Sequence, residues 1–244
     1  MKKYRFIAHR GDREFFPENT LAGFASALKL GADGIEFDVQ IAADGEAVIS
    51  HDDYLDRCCG ISGSILDSTK AQLERISAHE PARFGEQYSS VCLPMLIDAI
   101  NLFNQHEYPE IFVEIKEESI VRHGWARVLK SLSEVMCRAE FSWTLISFDD
   151  EIIRQARVRL GWKIGWVLSE DEAWDESRLR ALGPDYVFAS LHALESSSHS
   201  VWSGSWRWVI YGVNHPDDVI YLEKLDVFDY ETDRLGFMLD AMRN

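Results

Sequence analysis

The feature that most limits what this chain can fold into is a regular alternation of short β-rich runs with helix-patterned stretches along its 244 residues. Candidate strands cover 5–8, 35–41, 47–50, 111–115, 144–147, 163–167, 186–189, 208–213 and 227–230. Helical patterns cover 20–30, 69–76, 96–104, 120–138, 150–160, 172–182, 216–224 and 234–242. Strands separated by helices are the mark of parallel strands joined by helical crossovers. The first helix has a start signal in Pro17-Glu18-Asn19-Thr20, with Asn19 read as its cap, and a stop at Gly31. With 46% hydrophobic residues, a chain of this length can bury a full core. No linker or repeat divides it. The expectation is an α/β fold, a (β/α)8 TIM-type barrel forming a single domain over 1–244, with a small insertion after the second-to-third strand hairpin. The insertion, about 54–90, holds Cys58-Cys59-Gly60 and Ser62-Gly63-Ser64. A barrel enzyme places substrate-recognition structure in such a loop, although a decorated surface loop would read the same way.

Charge narrows the partners. Asp and Glu number 41 against 25 Lys and Arg, a formal charge of -16. Such a chain repels phosphate backbones at long range, so no nucleic acid is expected, and an anionic small substrate needs local help from a metal or from particular cations. No apolar run is long enough to cross a bilayer, and Met1-Lys2-Lys3-Tyr4-Arg5 runs into the first strand without a secretory signal. Cys58, Cys59, Cys92 and Cys137 show no CxxC or zinc spacing. Reduced thiols and a cytoplasmic location are expected. The oligomeric state is left open.

Chemistry concentrates in three places. In Ile35-Glu36-Phe37-Asp38-Val39 the two carboxylates lie two residues apart and share one side of a strand. Asp44-Gly45 is a hairpin signal; as a two-residue loop it puts Asp38 opposite His51. Such a pair of acids suits a solvated face as well as a site, but here the opposite face of Ile35, Phe37, Val39 and Ile41 is wholly apolar. His9-Arg10-Gly11 follows the first strand, where parallel folds present functional groups. Glu114-Ile115-Lys116 repeats the two-residue spacing. If Glu36, Asp38 and Glu114 converge, they repel one another without a cation, and three hard oxygens suit Mg2+, Ca2+ or Mn2+ better than zinc. Lys116 then faces an anionic substrate or bridges to Glu114. His79, His106, His123, His192, His199 and His215 read as surface or packing residues, and the eight Trp as core and rim. There is no GxGxxG, Walker motif or serine nucleophile elbow.

The ordered set His9-Arg10-Gly11, Pro17-Glu18-Asn19-Thr20, Gly31-Ala32-Asp33, Glu36-Phe37-Asp38-Val39, Asp44-Gly45, His51-Asp52, Leu55-Asp56-Arg57, Leu93-Pro94 and Glu114-Ile115-Lys116 resembles the glycerophosphodiester phosphodiesterases, densely in the first half and thinly after Ser147-Phe148-Asp149. The resemblance implies a TIM-type barrel that hydrolyses small glycerophosphodiesters to glycerol 3-phosphate and an alcohol. It implies one divalent cation (Mg2+ or Ca2+, with Mn2+ possible) on Glu36, Asp38 and Glu114, His9 and His51 as acid/base pair, Arg10 and Lys116 on the phosphate, and Glu18 in support. The chain departs from the family at Tyr211-Gly212-Val213-Asn214, where Trp-Thr-Val-Asn is common, so Tyr211 is expected to shape the alcohol side of the pocket. It departs again at Asp229-Tyr230-Glu231 before Thr232-Asp233-Arg234-Leu235. Lysophospholipid cleavage, arrest at a cyclic phosphate, and a silent phosphoester-binding barrel are the alternatives. The mixed, polar insertion favours small water-soluble substrates.

Overall fold

The computed structural model describes residues 4–106, 109–196 and 200–242. Its strands are β1 (Arg5–His9), β2 (Gly34–Ile41), β3 (Ala47–Ile49), β4 (Glu110–Ile115), β5 (Trp143–Ser147), β6 (Ile164–Val167), β7 (Tyr186–Ser190), β8 (Arg207–Tyr211) and β9 (Asp229–Thr232). All except β3 are parallel and form a closed ring in the order β1-β9-β8-β7-β6-β5-β4-β2, with β1 pairing β2 to complete it. β3 is antiparallel to β2 and lies outside the ring. The helices are α1 (Leu21–Leu30), α2 (Asp56–Cys59), α3 (Lys70–Leu73), α4 (Pro81–Phe84), α5 (Leu96–Phe103), α6 (Glu117–His123), α7 (Trp125–Met136), α8 (Asp150–Leu160), α9 (Glu176–Leu182), α10 (Leu191–Ser196), α11 (Pro216–Glu223) and α12 (Leu235–Met242). This is the expected TIM-type barrel.

Alternation along each strand divides the core in two. Outward residues such as Phe6, Ile35, Phe37, Val39, Val113 and Ile210 pack beneath the helices. Inward residues Ile7, Phe112, Ile146, Val167, Phe188 and Val209 plug the middle of the barrel, with Phe112 meeting Phe188 edge-on at 5.1 Å. A polar layer caps this plug at each end.

Three local expectations are corrected. Thr20, not Asn19, caps α1: its hydroxyl accepts from the Gly23 N–H at 3.2 Å and donates to the Pro17 carbonyl at 2.7 Å. The helix expected over 120–138 breaks into α6 and α7 at Gly124, whose φ of 75° and ψ of 145° leave the helical region while its N–H closes onto the Ile120 carbonyl. α9 starts at Glu176 rather than 172, because the Asp175 carboxylate captures the N–H groups of Ser177 and Arg178. His199 falls outside the described residues.

The β2–β3 hairpin also differs. Val39 pairs with Ile49 and Ile41 with Ala47, and the Ala42 N–H donates to the Glu46 carbonyl, so the loop is Ala43-Asp44-Gly45 with Gly45 at φ 93°. One extra loop residue shifts the register by one. Asp38 therefore faces Ser50, whose N–H donates to the Asp38 carbonyl at 3.1 Å, and not His51. β3 ends at Ile49, and the chain then turns. From there to α5 the short helices α2, α3 and α4 surround a satellite core of Leu55, Cys58, Cys59, Ile65, Leu73, Ala78, Leu93 and Met95, seated on Ala42 and Val48. All four cysteines are unbridged, and burial pushes the Cys59 thiol up to about 12.

Candidate active site

Sequence puts His9 at the last residue of β1, and the turn that follows is unusual. Arg10 (φ 57°) and Asn19 (φ 56°) are both left-handed, a conformation uncommon for non-glycine residues and easier for Asn than for Arg. The Arg10 N–H donates to the Glu36 carbonyl at 2.9 Å, and the Asn19 N–H donates to the Arg10 carbonyl at 3.0 Å. Gly11 lies against α1 so closely that a Cβ there would stand 2.9 Å from the Gly23 carbonyl carbon. The loop thus folds its polar side chains over the barrel mouth instead of away from it.

Glu36 and Asp38 of β2 and Glu114 of β4 converge there, each 9% exposed or less, with one oxygen from each within 4.8 Å of the others. The neighbouring strand pairing places Asp38 beside Glu114. Burial, together with the charges of Asp38, Glu231 and Glu114, holds the Glu36 carboxyl well above the usual range. Burial raises Glu114 as well. Burial would also raise Asp38, but Arg10 and Lys116 outweigh it and hold it low. Lys116 Nζ is 2.6 Å from Glu114 and 3.4 Å from Asp38, so its bridge to Glu114 is made. Arg10 Nε stands 2.9 Å from Asp38 but off the line a hydrogen bond needs. Asn19, freed from capping, donates through Nδ2 to Asp38 at 2.8 Å and accepts the Asp38 N–H at 3.2 Å. Glu36 Oε1 is buried with no hydrogen-bond partner. A buried carboxylate oxygen without a donor, inside a ring of hard oxygens, is what a divalent cation would satisfy.

The two histidines are held alike. His9 Nδ1 is 2.7 Å from Asp233, and His51 Nδ1 is 2.6 Å from Asp52. With Nδ1–H donated to a carboxylate, each ring presents Nε2 for proton exchange. Nε2 of His9 points at Glu231 (3.6 Å) and Glu36 (4.0 Å). Burial lowers the pKa of His9, and Asp233 opposes this. His51 is anchored through its carbonyl, which accepts from Gln40 Nε2 at 3.1 Å.

Every site residue expected from sequence therefore stands around one opening. Glu18 lies beneath it with its side chain fully enclosed, 2.9 Å from Arg10. Tyr211, the last residue of β8, is half-buried at the rim, its hydroxyl held protonated by burial and by the negative charges of Glu170, Glu231 and Glu114. Five contributors have no role assigned from sequence: Arg13, Asp52, Arg57, Glu231 and Asp233. Glu231 is 3% exposed and faces the mouth from β9, its carboxyl held well above the usual range by burial, Glu114 and Asp233. For Glu231 and Asp233 spacing is the available signal, since they lie two apart at the end of β9, the same interval as Glu36 and Asp38 within β2.

The chain is similar to known proteins along most of its length. Residues 9–236 match the model of the Glycerophosphoryl diester phosphodiesterase family. The glycerophosphodiester phosphodiesterase of Caldanaerobacter subterraneus subsp. tengcongensis is 36% identical over 129 residues, 52% of each chain. The one from Bacillus altitudinis is 38% identical over 119 residues, 49% of this chain and 47% of that one. The chain thus spans about half the length of the curated relatives it matches. The fold is similar to an Oleispira antarctica phosphodiesterase solved in complex with the product sn-glycerol-3-phosphate (TM-score 0.83, 22% identity, 98% of this chain and 97% of that one). It is also similar to the Thermotoga maritima glycerophosphodiester phosphodiesterase (TM-score 0.75, 19% identity, 99% of each). With the family match running from His9 to beyond Asp233, the chain belongs to the glycerophosphoryl diester phosphodiesterase family.

Proposed function

We propose that this protein hydrolyses glycerophosphodiesters to glycerol 3-phosphate and an alcohol, with a divalent cation and two histidines at the barrel mouth. The observation that carries this reading is the pairing of two aspartate-held imidazoles with the Glu36, Asp38 and Glu114 trio around one opening. The family and the product-bound relative support the substrate class.

Glu36, Asp38 and Glu114 would hold the cation. Around them Glu36, Asp38, Glu114 and Glu231 carry four negative charges when ionised, against Arg10 and Lys116. The two charges left over are what one dication cancels. Bound there, it would offset charge developing on the phosphoryl oxygens and make a nearby glycerol hydroxyl more acidic.

The chain's own groups do the rest. One imidazole takes the hydroxyl proton at Nε2 as that oxygen attacks phosphorus, and the other donates a proton from Nε2 to the departing alcohol oxygen. Water then opens the cyclic phosphate with the two roles exchanged. Asp233 and Asp52 keep each Nδ1 protonated and each ring aimed. Arg10 and Lys116 turn their cationic ends towards the phosphate, and Tyr211 borders the alcohol. Mg2+, Ca2+ and Mn2+ all suit the all-carboxylate donor set.

The test is glycerol 3-phosphate release from glycerophosphocholine and glycerophosphoethanolamine, after EDTA and with each metal restored. Release that EDTA abolishes and a metal restores supports the reading. Loss of substrate with a stable cyclic phosphate as product would make the protein a cyclising enzyme. No turnover by folded, metal-loaded protein would sink the proposal.

A further inference from the structure

His9 sits on the barrel ring and His51 on a loop outside it, yet an unbroken chain of ion pairs joins them. Asp52, which holds His51, is gripped by Arg57 of α2: Nε at 2.6 Å and Nη2 at 3.1 Å, on different carboxylate oxygens. The same Nη2 reaches Glu18 at 2.8 Å. Glu18 Oε1 also accepts from Arg10 Nη1 at 2.9 Å, while Arg13 Nη2 stands 3.1 Å from Oε2, an ion pair off the line a hydrogen bond needs. Arg13 in turn donates to Asp233 at 3.0 Å, and Asp233 holds His9.

Exposed ion pairs contribute little, but this chain runs through a carboxylate with no accessible side-chain surface. Burial raises the pKa of Glu18, and Arg57, Arg10 and Arg13 reverse that and bring it to about 2. An enclosed carboxylate held by three guanidiniums tolerates no independent movement, because displacing one leaves buried charge unbalanced. Its backbone is fixed too: the Glu18 N–H donates to Glu80 at 2.8 Å. A planar guanidinium that forks to Asp52 and reaches Glu18 fixes orientation as well as charge.

We infer that Arg57 is a positioning residue that, through Glu18 and Arg13, ties the two histidine–aspartate pairs into one unit. The inference rests on the acid/base reading above for its kinetic consequences, though not for its structural one. Arg57 touches neither imidazole.

A double-mutant cycle between Arg57 and Asp233 tests it. Arg57→Met is expected to lower kcat for glycerophosphocholine about tenfold with KM within about twofold, and Asp233→Asn to lower kcat about a hundredfold. If the pairs form one unit, the double variant stays near a hundredfold; independent sites multiply to about a thousandfold, which overturns the inference. Arg57→Lys keeps the charge but loses the fork, so it should be as slow as Arg57→Met. Full activity in that variant also overturns the inference, and it serves should Arg57→Met fold poorly. A readout independent of turnover is the low-field proton NMR signal of the His9 Nδ1–H, assigned by its loss in His9→Gln. It should shift in Arg57→Met and Arg57→Lys, and an unmoved signal in both overturns the proposal. A silent protein with a shifting signal would instead reject the hydrolase reading and leave the inference standing.

Discussion

The two ends of the barrel interior carry similar polar groups in opposite balance. At the N-terminal end, Glu110 and Asp229 meet Arg5, Lys163 and Arg207: Arg207 is 2.7 Å and Arg5 3.6 Å from Asp229, and Arg5 is 3.4 Å and Lys163 3.6 Å from Glu110. Tyr186 donates to Glu110 at 2.6 Å. Cations there outnumber these two carboxylates and each carboxylate has two of them within 3.6 Å, although burial still raises the Asp229 carboxyl. At the C-terminal end, four carboxylates crowd around two cations, two glutamates are held well above their usual pKa by burial and mutual repulsion, and one oxygen has no partner. The first arrangement holds a ring together. The second stores unfavourable charge that a ligand can relieve, which separates a binding end from a structural end within one barrel.

The largest effect should come from exchanging one acid at each end. Glu36→Gln is expected to lower kcat/KM by a thousandfold or more, yet to raise the melting temperature of EDTA-treated protein, since it removes a buried like-charge repulsion. Asp229→Asn should instead leave kcat within about twofold and change stability by less than about 1 kcal/mol, because burial already raises this carboxyl against the pull of Arg207 and Arg5 and Arg207 is half exposed. Thermal melts beside steady-state kinetics settle both, and a Glu36→Gln protein that loses stability would erase the contrast.

A second, smaller effect is in pH. Glu36 and Glu231 have folded pKa values above the ordinary 4.5, so the native state holds their protons after the unfolded chain has released them. Each therefore costs the metal-free protein stability as pH rises from about 4.5 through its raised folded value. Glu18 and Asp52, both lowered to about 2, act the other way, and their contribution is lost as pH falls from about 4.5 towards 2. Melting temperature after EDTA should thus peak in the mildly acidic range and fall towards neutrality, and Mg2+ or Ca2+ should flatten the neutral limb. A limb that ignores cations would count against a cation at this site.

The smallest effects divide two neighbours. Thr20→Ala should cost about 1 kcal/mol, the worth of a helix cap, with kcat unchanged. Asn19→Ala should cost about 2 kcal/mol by leaving the buried Asp38 N–H unpaired, and should lower activity as well. Denaturant melts and kinetics of the pair would show whether capping and site support are as separate as their contacts.

Legibility in the sequence follows the range of the forces involved. Strand periodicity, Gly31 and the Glu36/Asp38 spacing act over a few residues, and they locate the ring and most of its mouth. The same spacing brings in Lys116, and motif order gives His51 its acid/base role where the hairpin register misplaces it. The hairpin register fails by one residue because loop length depends on where hydrogen bonding resumes, here at Ala42 and Glu46 instead of Ala43. Arg57 meets Glu18 across 39 positions and Arg13 meets Asp233 across 220, so no local pattern announces either contact. Glu231 had a local signal at a point where the family likeness is thin.

The placement of β3 outside the ring has a consequence for how such a protein can change over generations. β3 hydrogen-bonds to β2 and to the Pro94–Met95 edge, its Ala47 and Ile49 join the main core, and the stretch beyond it builds its own small core. Insertions or deletions there leave ring closure untouched, while every one of them is felt at the loop that bears His51 and at Arg57. In the proposed reaction, remodelling this appendage would reach the acid/base pair through His51 and Arg57, while Glu36, Asp38 and Glu114 stay on the strands of the ring.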